Sequence, residues 1–377
     1  MKVLYLIDSL GAGGAERSTY LLARYLEQTG HETAIVALKP KAVGISEEYH
    51  QLRGRVAVAD TRSLRDRLAF VRRVIQEEQP DIVHSVIFDS NLALRIIGWY
   101  TRGFVTVQSL VGLPYLPERT FTSRSRSFKH AIVRQIDAWS ARFSDIYYHV
   151  ISRAVADHYR EVYHYDDDRV SLVYRGRDAN PLVKGPRSYP TKRPFRIINV
   201  GRQEEVKDQI TAVRAMHYVV YERGITDVHL RIYGRRGKST QLLERSVQQL
   251  NLQDYVELVG FEPAMDRAYA EADAFLFPSL HEGMGGALIE AMAAALPCIC
   301  SDIPTFHEVV GDDDGGLFFP VSDAAAAGRC ILEVYENKAR YERLSAHAYG
   351  RFTTAFRNER VLAQMIDLYQ RALAHGA

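Results

Sequence analysis

Two glutamates eight residues apart bracket a glycine-rich stretch, His281-Glu282-Gly283-Met284-Gly285-Gly286-Ala287-Leu288-Ile289-Glu290. The stretch follows the apolar run AFLFPS and opens the helix-forming ALIEAMAAA. Glycines between a strand and a helix let a phosphate meet the first, unpaired N–H groups of that helix. A carboxylate is a poor partner for phosphate and a good acceptor for paired sugar hydroxyls. Glu282 in the loop and Glu290 two turns into the helix therefore suit a sugar carried on a phosphate. The plainer alternative is a capping acid and an exposed helix glutamate. In INVGRQEEVKD, Gly201-Arg202 follows another strand-like run, and Lys207 stands five residues on, at an expected helix start. Two cations at a strand end suit a diphosphate, whose charge they neutralise without a metal. The alternative is two solvated surface cations.

Three other motifs fail on spacing or context. Gly11-Ala12-Gly13-Gly14-Ala15-Glu16 follows the first strand, but Glu16 stands where a dinucleotide fingerprint needs glycine, and the second strand ends ALKP without an acid for a ribose. Gly234-Arg235-Arg236-Gly237-Lys238-Ser239 has two residues between its glycines where a phosphate loop needs four. The aspartate runs 166–168 and 312–314 read as solvated turns rather than a metal site, so no metal or other cofactor is expected.

These residues need elements to hold them. The chain has 377 residues, 47% hydrophobic and 25% charged, which suits two globular domains. A net charge of +2 gives no global field for nucleic acid or membrane. Cys298, Cys300 and Cys330 are too few for a disulfide framework or a four-cysteine zinc site, in keeping with a reducing cytoplasm. The run Val3–Ile7 is too short for a signal-peptide core, and no stretch approaches a spanning length. Strand-like TAIVAL, IVHSVI, FVTVQ, YYHVIS and VSLVY alternate with helical segments. After the proline-rich residues 177–194, read as a linker, FRIINV, VHLRIY, YVELV, AFLFP, CICS and GLFF repeat the alternation. The expected fold class is α/β, two Rossmann-like doubly wound parallel-sheet domains facing a central cleft. Everything after Asp323 reads as helix, and Leu362, Met365, Ile366, Tyr369 and Leu373 form an apolar stripe in the last one.

The combination resembles the retaining family-4 glycosyltransferases of the GT-B fold. It rests on GRxxxxK after the first strand of the second half and on E-G-x-G-x(4)-E after AFLFPS. GGAER, PDIVHS, VYRGRD, GFEP and SDIPTFHEVV fall in the family's order over nearly the whole chain. The resemblance implies an acceptor domain at 1–180, joined by a crossover helix at about 355–377, and a donor domain at 190–354. It implies a nucleotide-diphosphate sugar donor, UDP-linked, and a hydroxyl acceptor, glycan or lipid-linked, in polysaccharide or glycolipid assembly. By the same analogy Arg202 and Lys207 hold the diphosphate, Glu290 the ribose and Glu282 the transferred sugar, making Glu282, Arg202 and Lys207 the catalytic set. Backbone N–H groups of Met284, Gly285 and Gly286 grip sugar and phosphate, and Gly13 and Gly14 close on the diphosphate from the other domain. Phe261 and Glu262 fall beside the nucleobase. The alternatives are a nucleotide-sugar epimerase or hydrolase on the same fold, or a non-catalytic nucleotide-sugar binding protein.

Departures from the pattern gather in the first half. Gln108 stands where many members carry histidine, and it donates a hydrogen bond but takes no proton. Arg175 replaces a usual asparagine and either contacts phosphate or faces solvent. His84 remains in PDIVHS. His84, Gln108 and Arg175 are the acceptor-side candidates. Residues 119–143 hold Arg119, Arg124, Arg126, Lys129, Arg134 and Arg142 against Asp137 alone, with Ile132, Ile136, Trp139 and Phe143 at helical spacing. That face suits an anionic membrane surface, placing the protein in the cytoplasm or at the inner face of the membrane. The alternative is an ordinary amphipathic core helix.

Overall fold

The structure is a computed structural model. It describes every residue except Ala12, 41–45, Arg62, 117–123, Phe143, 192–193, 312–314 and Ala377, and at helix positions 46–47, 124–127, 129 and 376 the backbone alone. The chain divides into two compact units, Met1–Arg175 with Glu359–Ala377, and Gly176–Asn358.

The first unit has a seven-stranded parallel sheet: β1 (Lys2–Ser9), β2 (Glu32–Lys39), β3 (Arg55–Val58), β4 (Ile82–Val86), β5 (Val105–Leu110), β6 (Tyr147–Val150) and β7 (Val170–Leu172). Their order is β3-β2-β1-β4-β5-β6-β7. The middle of β1, Val3–Ile7, and of β2, Thr33–Leu38, is buried without a break, as a sheet covered on both faces requires. The edge strand β3, Arg-Val-Ala-Val, is not among the strands expected from sequence. Its four residues are half-exposed and carry too little apolar pattern to stand out.

The second unit repeats the plan with β8 (Phe195–Val200), β9 (Val228–Tyr233), β10 (Val256–Gly260), β11 (Ala274–Phe277), β12 (Cys298–Ser301) and β13 (Leu317–Phe319), in the order β10-β9-β8-β11-β12-β13. In each sheet the order reverses beside the first strand, between β1 and β4 and between β8 and β11. Ligands of open α/β sheets bind at the carboxyl ends of the strands flanking such a reversal.

One boundary differs from expectation. The described part of residues 177–194 is not a free linker but lies on the second unit. Arg187 reaches the main-chain oxygens of Ala294 at 2.7 Å and Tyr269 at 2.9 Å, and its own N–H donates to Ser345 at 2.7 Å. The side-chain amide of Asn180 donates to the Asp266 carbonyl at 2.9 Å. Prolines gave the segment the composition of a linker, but its polar groups are spent on carbonyls that the helices leave open. The final helix, Asn358–Gly376, returns to the first unit. Val361, Met365, Leu368, Tyr369 and Ala372 join the core beside Val3, Tyr5 and Ile35, while Leu362, Ile366 and Leu373 are only partly buried.

Candidate functional site

In the second unit, β8 and β11 deliver the two motifs to neighbouring strand ends. After β8 the chain makes one tight turn, Glu205–Lys207, so that Lys207 closes a turn rather than starting a helix; the helix Gln209–His217 follows. Asp208 between them has φ +40, unusual for a residue other than glycine. Its carboxylate accepts from Thr211 at 2.8 Å and Ser322 at 2.7 Å, which holds that conformation. The loop after β9, which resembles a phosphate loop in sequence, braces this turn. Gly234 has φ +145, and a Cβ there would fall 1.8 Å from the Gly201 oxygen, so only glycine allows the two loops to meet. Gln203 N–H donates to the Arg235 carbonyl and Ser239 N–H to the Gln203 carbonyl, both at 3.0 Å. Arg202 is exposed.

After β11, Lys207 Nζ donates to Glu282 Oε1, which also accepts from Ser279 at 3.0 Å. Thr305 donates to the Glu282 carbonyl at 2.9 Å and pins the loop. Gly285 has φ +82 and precedes the helix Gly286–Ala293. A Cβ on Gly285 would stand 3.2 Å from the rings of Phe277 and Phe306. Met284 is buried and its side chain belongs to the core. Glu290, one turn further along this helix, is partly exposed and has a partner on each carboxylate oxygen. Its Oε1 accepts from Arg177 Nε at 2.7 Å and its Oε2 from Tyr269 at 3.1 Å. At the end of β10, Phe261 is 57% exposed and carries the Arg235 guanidinium 4.4 Å above its ring, while Glu262 accepts from Ala264 N–H at 2.9 Å. Each of the two glutamates is thus held by one cation. Arg177, Tyr269, Ser279 and Thr305 are the members that the sequence reading left out. Among the described residues no three His, Cys, Asp or Glu side chains cluster as metal ligands.

Comparison with known proteins matches both halves. Residues 12–180 match the model described as glycosyltransferase family 4, and residues 186–351 the one described as glycosyl transferases group 1. The structure of Anabaena Alr3699/HepE in complex with UDP-glucose superposes with a TM-score of 0.82 over 98% of this chain and 99% of its own, at 17% identity. The two halves of the chain thus match two glycosyltransferase family models in succession, and its fold is that of HepE. Its relatives include the amylovoran biosynthesis glycosyltransferase AmsK of Erwinia amylovora, 29% identical over 48% of this chain and 45% of that one. They also include the UDP-Gal:alpha-D-GlcNAc-diphosphoundecaprenol alpha-1,3-galactosyltransferase of Escherichia coli, 22% identical over 79% of this chain and 77% of that one. The matches to the first curated relatives span about a third to a half of their length.

In the first unit, Gly13 and Gly14 open the helix Gly14–Gln28 after β1. Arg175 lies over them, its Nη1 3.3 Å from where a Gly14 Cβ would be. Beside this loop, Ile87 ends β4 with φ +80, which a β-branched residue rarely adopts. Asp8 accepts from Ser90 N–H at 2.9 Å, and burial holds its carboxyl above the usual range. The other two acceptor-side candidates need correction, because neither offers a polar atom to an acceptor. His84 is 2% exposed, with Nδ1 2.6 Å from the Tyr369 hydroxyl and Nε2 2.7 Å from Ser109 Oγ. Ser109 Oγ lies 2.7 Å from His149 Nδ1, whose Nε2 lies 2.9 Å from the Val173 oxygen. Burial pushes His149 down to about 4 and His84 well below its usual value, so both are neutral near pH 7 and link the final helix to the sheet. Gln108, one residue before Ser109, points to the opposite face of β5. It accepts from Arg95 Nε at 3.0 Å and donates to the Asn91 carbonyl at 2.9 Å.

That opposite face explains the helix Arg124–Arg142. This helix turns its polar side inward: Asp137 and Ser140 are buried against Arg95. Phe128, Ile132, Ile136 and Trp139 are exposed, and Trp139 meets the exposed Trp99 edge-on at 5.7 Å. The stripe is therefore not a core face. Arg134 and Arg142 are exposed on the same helix; Arg119 and Phe143, and the side chains of Arg124, Arg126 and Lys129, lie outside the described residues.

Proposed function

We propose that the chain transfers a hexosyl group from a UDP-linked sugar to a hydroxyl acceptor with retention at the anomeric carbon. The observation that carries this reading is the contact between Lys207 and Glu282 across the β8/β11 reversal, beside a glycine-opened helix. Breaking the anomeric bond leaves negative charge on the departing diphosphate and positive charge on the sugar ring. Lys207, Arg202 and the start of helix Gly286–Ala293 stabilise the first, and such preorganised charge usually dominates catalysis. Glu282 orients the sugar hydroxyls. The bond from the anomeric carbon to the diphosphate oxygen breaks, the acceptor oxygen bonds to that carbon from the same face, and the acceptor proton passes to the diphosphate. The reading needs no metal ion or cofactor and no protein nucleophile. UDP is supported by the nucleotide named in the HepE complex and in the E. coli galactosyltransferase. The diphosphoundecaprenol in the latter's name supports a lipid-linked glycan as the acceptor.

Thermal unfolding with UDP, GDP, ADP and NAD tests the donor. UDP at a hundred times its dissociation constant is expected to add about 2.7 kcal/mol to the native state. Stabilisation by NAD alone, or by none of the four, would remove the reading.

A lipid-linked acceptor also gives the outward apolar side of helix Arg124–Arg142 a purpose, as a peripheral contact with anionic membrane. No described helix is long and apolar enough to cross one. The protein is expected to float with vesicles containing phosphatidylglycerol, and Ile136→Asp with Trp139→Asp to abolish this. Wild-type protein left in the pellet fraction at physiological salt refutes the contact.

A further inference from the structure

Arg177 has a partner in Glu290, yet the charges around it are not balanced. Its side chain is 8% exposed. Nε donates to Glu290 and Nη1 to the Gly176 carbonyl, at 2.7 and 2.8 Å. Nη2 carries two further N–H donors, and no described residue accepts from them. It is directed at Gly286: a Cβ on that residue would lie 2.2 Å from Nη2, so the glycine is what admits the guanidinium. Gly286 is the first residue of the eight-residue helix Gly286–Ala293. The N–H groups at that end lack intrahelical acceptors, and the helix dipole is positive there. A guanidinium laid against a positive helix end is repulsive. Glu290, a turn further along, offsets the guanidinium and leaves the helix end uncompensated.

The backbone holds this arrangement in place. Arg177 N–H donates to the Phe356 carbonyl at 2.8 Å, and its own carbonyl accepts from Asn358 N–H at 3.0 Å. Asn358 Nδ2 donates to Asp178 at 2.7 Å. Arg177 is therefore clasped between the two stretches of chain that enter and leave the second unit, with its open donors already aimed at the helix start.

We propose that Arg177 is a further donor-binding residue, whose Nη2 completes the diphosphate site at the start of helix Gly286–Ala293. This rests on the nucleotide-sugar reading and adds a residue that neither motif contains. Nη2 and the helix N–H groups form a fork of donors suited to phosphate oxygens, which a lysine would not reproduce.

The test compares UDP with uridine, which shares its base and ribose but has no phosphate. Binding is measured by calorimetry for UDP and by competition for uridine. In Arg177→Gln, UDP is expected to bind at least tenfold more weakly and uridine as in the wild type; Arg177→Lys falls between. Gly286→Ala keeps every charge and displaces the guanidinium, so it is expected to weaken UDP selectively even if Arg177→Gln folds poorly. Equal losses for UDP and uridine would mean that Arg177 acts only through Glu290, and the inference fails. Unchanged UDP binding in both variants overturns it as well. Wild-type protein that binds none of UDP, GDP or ADP would overturn the donor reading itself, a result distinct from either.

Discussion

Lys207→Ala is expected to lower turnover by about two to three orders of magnitude, the usual cost of removing one preorganised charge from a developing anion. Two effects act together. The departing diphosphate loses a cation, and Glu282, whose side chain is only 13% exposed, loses the ammonium that it accepts from. An uncompensated carboxylate then faces the leaving group. Glu282→Gln removes that repulsion, so the double variant is expected to recover part of the loss in Lys207→Ala. The measurement is UDP released per second from a UDP-sugar. A single variant within threefold of wild type would take Lys207 out of the reaction.

The second large effect is on stability. Arg95 and Asp137 have no exposed side-chain surface and meet at 2.8 Å. The other Asp137 oxygen accepts from Tyr115 and Tyr163, both at 2.7 Å. Arg95 reaches Tyr163 at 3.0 Å, besides Gln108 and Ser140. Asp137→Ala leaves a buried guanidinium and two hydroxyls without their acceptor, at an expected cost of about 3–5 kcal/mol. Hydrogen exchange resolves the two units separately, so protection should fall in β5, β6 and the helix Arg153–Tyr163 while β8 to β13 keep theirs. A loss below about 1 kcal/mol would show that the network is not needed for the fold. Replacing Arg95 and Asp137 together by Met and Leu should cost less than Asp137→Ala, because no charge is then stranded.

The parts of this molecule that were legible in its sequence are those encoded locally. Buried parallel strands are continuous apolar runs, so β1, β2, β8 and β11 declare themselves, and the glycines around Glu282 announce a strand-to-helix turn. What escaped depends on partners far apart in the chain. Arg177 lies 113 residues from Glu290 and has no periodic pattern around it. Arg187 made a linker-like segment part of the second unit by reaching carbonyls 82 to 107 residues away. The helix Arg124–Arg142 departs from the usual pattern for a local reason. An apolar stripe normally marks the core face, but here Arg95 supplies the inward face with a charge that only Asp137 can meet. His84 was read as an acceptor-side candidate because its core partners, Tyr369 and Ser109, lie 285 and 25 residues away.

The return of helix Asn358–Gly376 to the first unit has a consequence for synthesis. Residues 1–175 cannot finish their core alone, because Met365, Leu368, Tyr369 and Ala372 fill part of it. Residues 176–358 are contiguous and can close as soon as they emerge. At about 5–20 residues per second, the roughly 200 residues after Arg175 take about 10–40 s to appear. Throughout that interval Tyr5 and His84 lack the hydroxyl of Tyr369. The nascent first unit thus keeps part of its core open until residues beyond 358 dock.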